Sequence, residues 1–153
     1  MSGPRLVPAR CVGVDGFFVK FLADANVLSE ATKVSPSAEA LNWLRRHEHE
    51  VAVNAVVLGE IEFGILLLPS GRRRKKLEEW FARVAEMLPV LEMDRETARV
   101  WAALLARLRR GGRAMPVKDS LIAASALQHG LTVATRNTGD FAHCGVKLAD
   151  PFA

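Results

Sequence analysis

The sequence predicts an α/β domain with three layers, α/β/α, built on a central, mostly parallel sheet. Three observations carry that expectation. Short apolar runs recur at 19–23, 51–53, 89–91, 131–134 and 146–148. Longer stretches with apolar residues at helical spacing lie between them. Strands that alternate with helices in this way imply a parallel sheet covered on both faces. The length of 153 residues fits one domain, since about 100–200 residues is the usual size. A hydrophobic share of 50% excludes a disordered chain.

Each element has its own signal. Residues 1–18 carry Gly3, Pro4, Pro8, Gly13 and Gly16 without periodicity and are expected to form a flexible N-terminal extension. The organised domain is expected over 19–153, opening on a buried strand at 19–23 and a short helix at 26–31. Ser35-Pro36 then reads as an N-cap and first helical residue, starting a helix that ends near His47. After the strand at 51–53, Val57, Ile61, Ile65 and Leu68 mark a helix over 56–68, broken by Pro69-Ser70-Gly71.

Leu77, Trp80, Phe81, Val84 and Leu88 share one face of the next helix, and a short strand follows at 89–91. Asp94 is placed to cap a helix whose Ala98, Trp101, Leu105 and Leu108 lie on one side, and Gly111-Gly112 ends it. The segment 117–128 is apolar all round after its first turn, as a buried helix is, and the strands at 131–134 and 146–148 complete the order.

The bulk numbers narrow the function classes. A formal charge of +4 and a pI near 9.5 suit a nucleic-acid partner. Cys11 and Cys144 form no paired metal-binding spacing, which argues against a zinc site, and two isolated cysteines point to a reducing, cytoplasmic setting. No apolar stretch reaches the roughly 18 residues of a membrane span. His47, His49, His129 and His143 show no triad spacing and are expected in capping or surface roles.

Four acids stand out: Asp24, Glu60, Asp119 and Asp140. Asp24 follows the first strand directly, and Asp140 follows the 131–134 strand after a short loop. Ligands of parallel sheets bind beyond the carboxyl ends of the strands, so both are expected near one rim. Asp119 falls in the first turn of the 117–128 helix, where the dipole favours a negative charge. Glu60 and Glu62 both flank the Val57/Ile61/Ile65 stripe, and periodicity does not choose between them. Each acid taken alone has an ordinary use as a turn, cap or solvated residue. Converging carboxylates repel one another unless a hard divalent cation, Mg²⁺ or Mn²⁺, neutralises them. Such a cation serves phosphodiester hydrolysis.

The lettering around these acids is more specific. The stretches Phe21-Leu22-Ala23-Asp24-Ala25-Asn26-Val27-Leu28-Ser29-Glu30, Gly59-Glu60-Ile61-Glu62-Phe63-Gly64-Ile65, Asp119-Ser120-Leu121-Ile122-Ala123-Ala124 and Thr135-Arg136-Asn137-Thr138-Gly139-Asp140-Phe141 follow in order. Together with Asp150-Pro151-Phe152 they resemble PIN-domain ribonucleases, most of all the VapC-type toxins of bacterial toxin–antitoxin pairs, over about residues 19–152. The resemblance implies a PIN fold and a metal-dependent endoribonuclease. It favours Glu60 over Glu62, and implies that Asp24, Glu60, Asp119 and Asp140 hold Mg²⁺ or Mn²⁺, with Asn26, Thr135 and Asn137 as polar helpers. It also implies a homodimer silenced by a cognate antitoxin. Ala25 departs from the family, which often carries Thr or Ser there, and this puts one hydroxyl hydrogen bond in question.

Basic residues supply the expected grip on RNA. Arg72-Arg73-Arg74-Lys75-Lys76 is the densest run. The group Arg107, Arg109, Arg110, Arg113 and Lys118 leads straight to Asp119, and Arg109, Arg110, Arg113 and Lys118 are the expected RNA contacts. Trp80, Phe81 and Trp101 are expected mainly in packing, with an interface as the other use. Two rival readings remain. Asp24-x-Asn26 is similar to the opening of haloacid-dehalogenase-like phosphatases, although that family wants a second Asp where Asn26 stands. The other is a nucleic-acid-binding module that keeps the fold without cutting.

Overall fold

A computed structural model describes residues 12–14 and 17–153. Strands β1 (Val12–Val14) and β2 (Phe17–Val19) pair antiparallel as a separate two-stranded sheet. The rest of the expected extension, 1–11 and 15–16, lies outside the described residues.

The main sheet has five strands: β3 (Phe21–Ala23), β4 (Val51–Asn54), β5 (Val90–Leu91), β6 (Thr132–Ala134) and β7 (Lys147–Ala149). Their spatial order is β5-β4-β3-β6-β7, and every neighbouring pair is parallel. Parallel strands need crossovers, and these are the helices: α1 (Ala25–Leu28), α2 (Ala38–Arg46), α3 (Ala55–Leu66), α4 (Arg72–Met87), α5 (Arg95–Arg110) and α6 (Val117–His129). The expected three-layer α/β/α arrangement is what forms.

The core is the middle of the sheet. Leu22, Val53 and Val133 are fully buried on the three central strands, and Val57, Ile61 and Ile65 of α3 join them from one helix stripe. Each such side chain contributes about 1.5–3 kcal/mol when removed from water. Helix α6 is sunk into this core along Ile122, Ala123, Ala124 and Ala126, which explains its apolar lettering.

Two local expectations change. The cap of α2 is Ser37, not Ser35: its Oγ accepts from Ala40 N at 3.2 Å. Proline biases the residue before it to extended backbone, so Ser35-Pro36 leads into the helix instead of opening it. Glu30 Oε1 fixes the real start by accepting from Ser37 N at 2.8 Å.

On α5 the buried face is Thr97, Leu104 and Leu108, while Ala98 is exposed and Leu105 half-buried. A capping box turns the helix this way. Thr97 N donates to Asp94 Oδ1 at 3.0 Å, and Thr97 Oγ1 donates to Gln128 Oε1 on α6 at 2.6 Å. Thr97 is drawn inward, and the apolar stripe rotates with it.

Candidate metal centre

The site forms where β3, β4 and β6 end. The register pairs Ala23 with Ala134, so the next residues, Asp24 and Thr135, emerge side by side. Backbone bonds pin both: Asp24 N donates to Ala134 O at 2.9 Å and Thr135 N to Ala149 O at 3.0 Å.

Asp24 is only 5% exposed, and its carboxylate is closely held. Oδ1 accepts from Ala25 N at 2.8 Å. Oδ2 accepts from Thr135 Oγ1 at 2.8 Å and from Asn26 Nδ2 at 3.2 Å. The hydroxyl of fully buried Thr135 is the hub, since it also accepts from Asn26 Nδ2 at 3.3 Å and Asn137 N at 3.0 Å. Asn26 closes the ring by accepting from Arg136 N at 3.1 Å. Asn26 and Thr135 thus stand as expected beside Asp24, whereas Asn137 takes part through its backbone N–H. Ala25 costs Asp24 nothing essential here, because its N–H still donates and a threonine hydroxyl arrives from the end of β6.

Glu60 lies on α3, half-buried, while Glu62 is exposed on the same helix. One oxygen of Glu60, Oε1, accepts from Lys118 Nζ at 2.6 Å. The other, Oε2, is buried and has no hydrogen-bond partner among the described residues. The placement of α3 is set by Asn54 at the end of β4. Its Oδ1 accepts from Val57 N at 3.0 Å as the helix cap, and its Nδ2 donates to Ser125 Oγ of α6 at 3.2 Å. This fully buried asparagine ties together the helices that carry Glu60 and Asp119. The sequence signal for it is an N-cap residue before an apolar run.

Asp119 occupies the first turn of α6, and Asp140 lies exposed in the short 3₁₀ turn Thr138–Phe141. The four acids share one electrostatic neighbourhood. Burial, and then the charge of Glu60, pushes the Asp24 carboxyl above its ordinary range against the pull of Thr135, Ala25 and Lys118. Burial followed by the charges of Asp24 and Asp140 pushes Asp119 up as well. Among the described residues, no three acids or histidines already stand close enough to grip an ion. The donor set is oxygen-only, and one of its oxygens is buried and unsatisfied. Both features fit a hard divalent cation.

Two clefts flank the centre. One, about 380 Å³, runs from Asn26 and Glu60 along Ile61, Ile65, Leu77 and Trp80. The other, about 260 Å³, joins Asp140 to Arg113, Met115 and His143. Arg113 therefore opens onto the same space as a proposed ligand, and Arg109 and Arg110 are exposed at the end of α5. Arg107 departs from the basic group: its Nη2 donates to Cys144 O at 2.7 Å and it serves the fold. Lys118 also differs from expectation, because its ammonium is engaged with Glu60. His47 has a structural place, pairing with Glu50 at 2.7 Å, whereas His143 lies in the cleft with Asp140.

Residues 21–147 match the PIN domain family. The chain is a PIN-domain protein. It is 33% identical to the VapC ribonuclease Y4jK of Sinorhizobium fredii, over 84% of this chain and 95% of that protein. It is 32% identical to toxin FitB of Neisseria gonorrhoeae, over 86% of this chain and 97% of the relative. The crystal structure of FitAcB from the same organism superposes with a TM-score of 0.81 at 31% identity, covering 86% of this chain and 98% of that one. These relatives favour the PIN nuclease reading over the phosphatase and the binding module. No described helix is long and apolar enough to cross a membrane.

Proposed function

We propose that this PIN-domain protein is a ribonuclease toxin of the VapC type, a divalent-metal-dependent endoribonuclease held in check by a cognate antitoxin. The observation that carries the metal part is the buried, unpartnered Oε2 of Glu60 beside two carboxyls, Asp24 and Asp119, that burial and like charge push up. One lysine against this many acids leaves room for a further cation. Asp24, Glu60, Asp119 and Asp140 are the residues that would hold Mg²⁺ or Mn²⁺. When bound, the ion makes a water acidic enough to attack and offsets charge on the scissile phosphate.

The chain's own residues do the positioning. Thr135, Asn26 and the Ala25 N–H fix the orientation of Asp24. Asn54 sets the direction of α3 and so of Glu60. Arg109, Arg110 and Arg113 hold RNA phosphates, which gives affinity without reading sequence. Exposed Phe63, Leu66 and Leu67 form an apolar surface near α3 that suits a protein partner, either the antitoxin or a second copy in a homodimer. The working place is the cytoplasm, where RNA and reduced thiols coexist.

The test is RNA cleavage by the purified chain with Mn²⁺ or Mg²⁺ and with chelator. Wild type is expected to cleave only with metal. Asp24→Asn is expected to lose cleavage by more than the roughly 10–100-fold that outer-sphere changes cost. Glu62→Gln is expected to cut normally. Cleavage that survives chelation, or an Asp24→Asn variant as active as wild type, contradicts the reading.

A further inference from the structure

Lys118 places a positive charge inside the group of acids proposed to hold the metal. It stands in the first turn of α6, directly before Asp119, and reaches across to α3, where Nζ lies 2.6 Å from Glu60 Oε1. Glu60 in contact and Asp119 next in the chain keep this ammonium within the acidic group. One ammonium therefore faces several carboxylates at the place a divalent ion would occupy, and it already uses one oxygen of a proposed ligand.

The pair is built to be broken. The Lys118 side chain is 50% exposed, against 29% for Glu60. A lysine is a compact charge on a flexible stem, so it can leave without moving the helix. A half-exposed pair is worth about 1 kcal/mol or less. A divalent ion that gained several carboxylates at once would outweigh a pair of that size.

Resting on the metal-dependent reading above, we propose that Lys118 is a built-in counter-ion: it holds Glu60 in the metal-free protein, and the divalent ion must displace it from that carboxylate. Lys118 then raises the metal concentration at which the site fills and steadies the fold while the site waits. This role precedes any contact that it makes with RNA.

The experiment compares wild type, Lys118→Gln and Arg99→Gln by calorimetric titration with Mn²⁺ and by thermal melts in chelator and in saturating Mn²⁺. Lys118→Gln is expected to bind Mn²⁺ about three- to fivefold more tightly, the scale of a pair worth up to about 1 kcal/mol. It is expected to melt below wild type in chelator, with the difference vanishing when Mn²⁺ saturates. Arg99→Gln, which removes an exposed charge from α5 outside the group of acids, is expected to leave the affinity unchanged.

Equal, measurable affinity in wild type and Lys118→Gln overturns the displacement while leaving the metal site standing. Equal tightening in Arg99→Gln overturns it too, by showing a general field effect. Absence of Mn²⁺ binding to every variant overturns the metal-dependent reading and this inference with it. If Lys118→Gln does not fold, Lys118→Arg decides. A guanidinium grips a carboxylate with two parallel bonds, so weaker Mn²⁺ binding supports the proposal and unchanged binding overturns it.

Discussion

The two rims of the sheet treat their charges in opposite ways. At the amino ends of the strands, Glu50 precedes β4 and Lys20 precedes β3. Glu50 gives one oxygen to Lys20 Nζ and the other to His47 Nδ1, each at 2.7 Å. Hydrogen bonds from His47 and then Lys20 hold the Glu50 carboxyl below its ordinary range. His47 is itself packed against Phe21 and Trp43 at ring separations of 4.8 and 4.6 Å. At the carboxyl ends, Asp24 and Asp119 are pushed the other way, and a Glu60 oxygen is left without a partner. At one rim a single acid is matched by a lysine and a histidine; at the other a single lysine, Lys118, faces several acids. That contrast marks the carboxyl-end rim as the candidate site on grounds separate from any relative.

The largest expected difference between the rims is in catalysis. Thr135→Val removes the hydroxyl that orients Asp24 and is expected to lower metal-dependent RNA cleavage about 10–100-fold, the usual scale for an outer-sphere partner. Glu50→Gln on the other rim is expected to cleave like wild type. Comparable losses in both variants, measured with Mn²⁺ saturating, would mean that the rims do not differ in role.

A smaller effect separates binding from chemistry. The double variant Arg109→Gln, Arg113→Gln is expected to bind RNA more weakly. The slope of log affinity against log salt is expected to flatten by about 0.7 for each single-strand phosphate that the variant no longer neutralises. Filter binding across a salt series in chelator measures it, and an unchanged slope takes these arginines out of the interface.

The smallest effect is on stability, and its sign differs between the rims. Asp24 and Asp119 have raised folded values, so stability from protonating them is present in acid and is lost as pH rises past 3.8 through those values. Glu50 has a lowered folded value, so its contribution is present above 4.5 and is lost as pH falls through that value. Metal-free Asp119→Asn is therefore expected to melt a few degrees above wild type at pH 7, and Glu50→Gln below it. Melting curves from pH 4 to pH 8 check both, and shifts of the same sign would erase the contrast.

Much of this is legible in the sequence, for identifiable reasons. Apolar runs and helical stripes reveal buried faces, so β3 to β7 and α1 to α6 fall near their expected places. Asp24 at a strand end is legible because parallel sheets expose their ligand-binding edge there. The choice of Glu60 over Glu62 comes from family lettering; in the fold Glu60 is half-buried and Glu62 exposed. What periodicity does not encode is competition between partners. Ser37 displaces Ser35 as a cap because a buried Glu30 holds its N–H. Leu104 replaces Leu105 because Thr97 is bonded to Gln128. Lys118 reads as one more basic residue until its bond to Glu60, 58 positions away in the chain, is seen.

The most direct measurement is a crystal structure of the chain soaked in Mn²⁺, with the ion located by its anomalous scattering. The account predicts Mn²⁺ between Asp24 and Glu60 with Asp119 or Asp140 completing the oxygen shell, and the amino-end rim around Glu50 empty. Manganese bound elsewhere, or none at the carboxyl-end rim at saturating concentration, would contradict it.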